Sequence, residues 1–90
     1  MAAKYIAGLI ACGHGSIRAI AVTFPEHIEH RVMARNVFGN FDYVVGAGMF
    51  HVNVDEHGDV SVHAHGESVG LNLRCRGEDD EFLIAESMGL

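Results

Sequence analysis

Seven of the 90 residues are histidine, and four of these, His51, His57, His63 and His65, stand in FHVNVDEHGDVSVHAHGES, residues 50 to 68. Imidazole titrates near neutrality and is a common metal ligand, so the stretch is equipped for proton transfer or for metal binding. An HxH pair on one strand, His63 and His65, joined by His51 from an antiparallel neighbour, would make a three-imidazole zinc site with one position open to water. Zinc would lower the pKa of that water to about 7 and make it a nucleophile. Asn53, Asp55 and Glu67 are the candidates nearby for outer hydrogen bonds to the ligands. The plainer alternative is that the three rings form the wet face of a sheet. His57 reads as a solvated loop tip, and His27, beside Arg31, as a surface residue.

Two further stretches carry residues of chemical interest. His14 lies between glycines in CGHGS, where the backbone can approach a ligand closely or simply turn. HGESVG, residues 65 to 70, ends a strand with small residues and could form a nest of backbone N–H groups for an anion, or be an ordinary strand-ending loop. His30 falls among apolar residues of a helical stretch. It is either a partly buried structural histidine or one held at a cleft edge with a tuned pKa.

The elements that would position these residues follow from apolar spacing. Residues 4 to 12 and 16 to 24 are apolar at nearly every position and are interrupted by GHGS, as two strands buried on both faces and joined by a glycine-rich turn would be; a short buried helix over 4 to 12 is the alternative that Tyr5 and Gly8 weigh against. TFPE then offers a helix start, with Thr23 as N-cap, Glu26 as its capping-box partner and Pro25 in the first turn, and Gly39 offers a stop. A helix over 24 to 38 gathers Met33, Ala34, Val37 and Phe38 around His30, while Ile28 and Val32 fall on the other side. That predicts a helix covered on both sides, one of them by a second subunit, or else a distorted one.

After GNFDYVVGAGMF the alternation becomes regular. A three-residue loop Glu56-His57-Gly58, with Gly58 left-handed, sets Val54 opposite Val60, Val52 opposite Val62 and Phe50 opposite Ala64 on one face. His51 then faces His63, and Asn53 faces Ser61, on the other. In GEDDEFLIAESMGL four acids open a helix whose dipole favours them, with Phe82, Leu83, Ile84, Ala85 and Met88 to pack on the sheet. The expected fold is a single α+β domain spanning 1-90, in the order ββαββα, with a predominantly antiparallel sheet of about four strands and both helices on one face.

Bulk properties narrow the function. Six basic against twelve acidic residues give a net charge of −6, which opposes attraction to a nucleic-acid backbone. An anionic small molecule would need some of Arg18, Arg31, Arg35, Arg74 and Arg76 to gather locally. Cys12 and Cys75 are too few for a disulfide framework and have no CxxC spacing, which points to a reduced cytoplasmic setting. KYIAGLIAC is similar to the end of a bacterial lipoprotein leader, but its apolar run is at the short limit for one. Nothing approaches the ~20 apolar residues of a membrane span.

Several fragments taken together resemble the janus/ocnus family, the small phosphohistidine phosphatases. These are Lys4-Tyr5-Ile6 in the opening strand, a histidine in the first long helix, Gly46-Ala47-Gly48 entering a strand, and DVSVHAHGESVG. The resemblance implies a metal-independent phosphatase with no cofactor. His30 would be its general base, Lys4 a charge partner near the phosphate, and the N–H groups of Gly66, Glu67 and Ser68 the anion cradle. The substrate would be a small anion or a phosphorylated protein. The chain departs from the family pattern at Gly66, where the loop serine belongs and Ser68 stands two residues on, and at Met49, where an arginine belongs. Two other readings stand beside it: a metal-binding domain built on His51, His63 and His65 with zinc or another divalent transition metal, and a non-catalytic module that associates with itself through the helix.

Overall fold

The computed structural model describes residues 3–90. Four strands form one antiparallel sheet: β1 (Ala3–Cys12), β2 (Ser16–Phe24), β3 (Val44–Val54) and β4 (Val60–His65), in the spatial order β2-β1-β3-β4. Helix α1 (His30–Phe38) and a short 3-10 turn (Phe41–Tyr43) connect β2 to β3. A two-residue ladder, β5 (Glu67–Ser68) with β6 (Leu73–Arg74), precedes helix α2 (Glu78–Ser87). The expected α+β fold, with its order ββαββα, is therefore present, with the β5–β6 ladder added. No helix among the described residues is long and apolar enough to cross a membrane.

The apolar run 4 to 12 forms the sheet's central strand β1, and its alternate residues serve two cores. Ile6 packs with Phe24, Ala34, Phe38, Val44 and Ala47 on the α1 side. Tyr5 and Ala7 pack with Ala21, Phe50 and Ile84 on the α2 side. The helices thus cover opposite faces, which corrects the expectation of both on one face. A strand apolar at every position needs cover on both sides, and one helix alone cannot supply it. β2, also read as central, is an edge strand, with only Ala21 and Phe24 buried.

The first helix starts later than its capping signal suggests. Phe24 stays in β2, paired with Lys4 and only 5% exposed, and α1 begins at His30 behind an extended Glu29 that makes no side-chain cap. Burying a phenylalanine is worth about 1.5–3 kcal/mol. A helix cap is worth about 1 kcal/mol, so sheet pairing prevails over Thr23 and Glu26. Ile28 consequently precedes the helix and packs on the α1 core, while Val32 is exposed. Gly39 ends the helix as expected.

The β3–β4 hairpin has the register read from its turn. Val54 pairs with Val60, Val52 with Val62, Phe50 with Ala64, Asn53 with Ser61, and His51 with His63, with Gly58 at φ 83°. The valine face outruns its cover, because Val52, Val54 and Val60 lie beyond α2 and are exposed.

α2 has its four acids in the first turn, as expected. Phe82 and Met88, expected to pack, are exposed, and it is Ile84 that is buried. Asp80 is fully buried and accepts hydrogen bonds from the Tyr5 hydroxyl and from the Arg76 backbone N–H and Nε. Gly46 makes room for this carboxylate, since a Cβ there would stand 2.4 Å from Asp80 Oδ2.

Candidate functional site

Lys4 on β1, His30 and Arg31 in the first turn of α1, Met49 on β3, and Glu67, Ser68, Val69 and Gly70 surround one surface cleft of about 390 Å³, which Glu29 completes. The sheet places Lys4 because it lies opposite Met49 in the β1–β3 ladder, on the face covered by α1. Helix α1 places His30 at its N-terminal end, buried beside Phe24 with the two rings edge to face at 5.5 Å.

His30 is held by one hydrogen bond. Its Nε2 lies 2.8 Å from the carbonyl oxygen of Gly48, which can only accept, so Nε2 carries the proton and Nδ1 the lone pair. Burial pushes the His30 pKa below its ordinary range and the positive charge of Lys4 adds to this, against a smaller upward pull from the Gly48 carbonyl. The imidazole is therefore neutral at pH 7. Nδ1 has no hydrogen-bond partner among the described residues.

The other groups are arranged as donors. Lys4 Nζ spends one proton on the carbonyl of Ile28 at 3.0 Å and keeps two. Ser68 is buried, and its Oγ accepts the Leu71 N–H at 3.3 Å, which leaves its own hydroxyl proton to give. The turn after it closes through Asn72 N–H to Val69 oxygen, and the N–H groups of Val69 and Gly70 have no hydrogen-bond partner among the described residues. The positive end of the α1 dipole faces the same cleft. Glu29 and Glu67 oppose Lys4 and Arg31 in number, so the lining is of mixed sign.

Of the residues singled out from sequence for an anion site, Lys4, His30, Glu67 and Ser68 line this one cleft. Gly66 does not; at φ 80° it turns the chain from β4 into β5 and gives its carbonyl to the Cys75 N–H. Val69 and Gly70, within the 65 to 70 stretch read as a backbone nest, line the cleft too, and so does Arg31, one of the five arginines considered for an anion. The Arg31 side chain passes over Gly70, and its guanidinium stacks on Phe41 at 5.2 Å. Arg31 follows His30 in the first helical turn, a cue hidden by placing the helix start six residues too early. The remaining arginines are dispersed: Arg35 also stacks on Phe41, Arg18 pairs with Glu86, Arg76 pairs with Asp80, and Arg74 borders a separate small cleft.

His51, His63 and His65 share a sheet face and are exposed. The His51 ring is 5.2 Å from that of His63, nearly parallel to it, and 5.6 Å from that of His65. As the side chains stand, no group of three or more His, Cys, Asp or Glu among the described residues is placed to hold a metal ion. His14 sits exposed at the β1–β2 turn, and His57 at the β3–β4 loop tip beside Glu56. A larger, mostly apolar cleft of about 840 Å³ is lined by Phe24, Pro25, His27 and Phe50 with their neighbours and, among the described residues, presents only Glu26 and His27 as ionisable groups.

In comparisons with known proteins, the chain matches no family model, no curated sequence and no solved structure.

Proposed function

We propose that the cleft around His30 binds the phosphoryl group of a phosphoramidate, most concretely phosphohistidine, free or carried on a protein, and hydrolyses its P–N bond without a metal ion. The observation that carries this reading is the state of His30. Its Nε2–H is fixed on Gly48, its Nδ1 has no hydrogen-bond partner among the described residues, and burial, with a smaller contribution from Lys4, favours the neutral ring. A neutral imidazole fixed beside a cluster of donors is suited to general-base work.

In the reaction His30 Nδ1 takes a proton from water as the oxygen attacks phosphorus opposite the departing nitrogen. The new P–O bond forms and the P–N bond breaks with its electron pair going to the departing nitrogen, which leaves as ammonia from protonated phosphoramidate or as neutral imidazole from a phosphohistidine protonated on its other ring nitrogen; inorganic phosphate is the second product, and His30 returns its proton to solvent. Lys4, the Ser68 hydroxyl and the Val69 and Gly70 N–H groups hold the phosphoryl oxygens and stabilise charge there as the transition state forms. The mixed lining suits such a substrate. Its phosphoryl group is negative while its leaving amine or imidazole ring carries a proton and a positive charge, which Glu29 and Glu67 favour. A bare phosphate dianion would gain less.

The test is turnover of phosphohistidine and of phosphoramidate in excess EDTA by wild type, His30→Ala and Lys4→Met. General-base loss predicts a fall of about 10²- to 10⁴-fold for His30→Ala. Absence of turnover by folded wild-type protein would sink the reading.

A further inference from the structure

We infer that His51, His63 and His65 form a second site, a three-imidazole seat for one divalent transition-metal ion on the sheet surface next to the His30 cleft. A zinc–nitrogen bond of about 2.1 Å plus about 1.1 Å from nitrogen to ring centre puts each centroid about 3.2 Å from the metal, so two imidazoles at a tetrahedral angle have centroids about 5.2 Å apart. The His51 centroid lies 5.2 Å from that of His63 and 5.6 Å from that of His65. Two of the three ring separations, both from His51, therefore already match what such an ion requires.

What the rings lack is orientation. His51 and His63 are stacked 18° from parallel, so their nitrogens do not converge. The missing step is rotation about the bond from Cβ to the ring, a broad, soft torsion in histidine. That axis passes close to the ring centroid, so turning the rings redirects their nitrogens and hardly changes the spacing. All three side chains are exposed, which leaves the rotation unobstructed and a fourth position open to water. Ser61 Oγ stands 3.5 Å from His63 Nε2, where a hydroxyl can orient a ligand from outside.

An all-imidazole set selects zinc, copper or nickel over magnesium and calcium, which demand oxygen ligands. The site shares no ligand with the His30 cleft. Lys4 lies opposite Met49, and Met49 opposite His65, so one methionine separates the two along the sheet.

The test is calorimetric titration of tag-free protein with zinc chloride, repeated with His63→Ala/His65→Ala and with His57→Ala as a control. Each variant's fold is checked by thermal melting. One zinc per chain with micromolar Kd is expected for wild type and His57→Ala, weakened at least tenfold in the double variant, and zinc should shift the His51, His63 and His65 ring signals in NMR spectra. Binding that survives the double variant, a stoichiometry of one zinc per two chains, or no heat of binding would each overturn the assignment. Because the readout is binding, its failure is separate from any failure of phosphoramidate hydrolysis.

Discussion

At the scale of single residues, His30 shares its cleft with Lys4 and Tyr5 is the next residue of β1, but the two belong to opposite faces and do different work. His30 is buried in its neutral form, so protons oppose the fold there. Above its ordinary pKa of 6.5 the folded and unfolded chains hold it alike. As pH falls through that value the unfolded chain takes up a proton that the folded one refuses, and stability declines until the lowered folded pKa is passed, where the loss levels off. Urea midpoints at about pH 7.5 and about pH 5.5 should therefore differ more for wild type than for His30→Gln, whose amide can still donate to Gly48. Equal differences would contradict the burial assigned to this ring. On the α2 face, burial and the hydrogen bond to Asp80 push the Tyr5 hydroxyl pKa far up, and the group serves as a fixed donor. Tyr5→Phe takes one of three donors from a fully buried carboxylate and should cost about 1–3 kcal/mol in chemical denaturation.

At the scale of elements, the β3–β4 hairpin depends on a left-handed residue at its turn. Gly58 has φ 83° with open space around it, so Gly58→Ala tests backbone strain alone and should destabilise by about 1–2 kcal/mol, read as a shift in urea midpoint. Gly46→Ala is different, because its Cβ would strike Asp80. Overpacking there should cost about 1–3 kcal/mol or more, and Asp80→Ala in the same chain should offset part of it. The hairpin was legible in the sequence because strict alternation and a Gly-containing loop admit one register that keeps Val52, Val54, Val60 and Val62 together. The start of α1 was not. Thr23-Phe24-Pro25-Glu26 carries a local cap signal, whereas the pairing of Phe24 with Lys4 is a contact between distant residues that local reading does not weigh. The β5–β6 ladder, two residues a side, is too short to leave a period. That is why residues 65 to 70 were legible as a backbone nest while the short pairing that fixes where Ser68, Val69 and Gly70 stand was not.

At the scale of the molecule, two small cores share one strand. Phe38 packs with Ile6, Phe24 and Val44 in the first, and Phe38→Ala should cost about 3–5 kcal/mol and lower Tm accordingly. The same mutation should loosen the α1 start that carries His30. The alternation along β1 divides the labour between faces: Lys4 and Ile6 face α1 and the cleft, while Tyr5 and Ala7 anchor α2. Apolar spacing along residues 4 to 12 made this strand legible as buried on both sides, but the assignment of one helix to each face required the pairing order β2-β1-β3-β4. The central claim is that the phosphoryl group sits between Lys4, His30 and the 68–70 turn. The most direct measurement is an amide and imidazole NMR titration with inorganic phosphate, the reaction's product. Saturable shifts at Val69, Gly70 and the His30 ring, lost in Lys4→Met, are the predicted result; shifts confined to Arg74 and Arg76, or none at all, would contradict it.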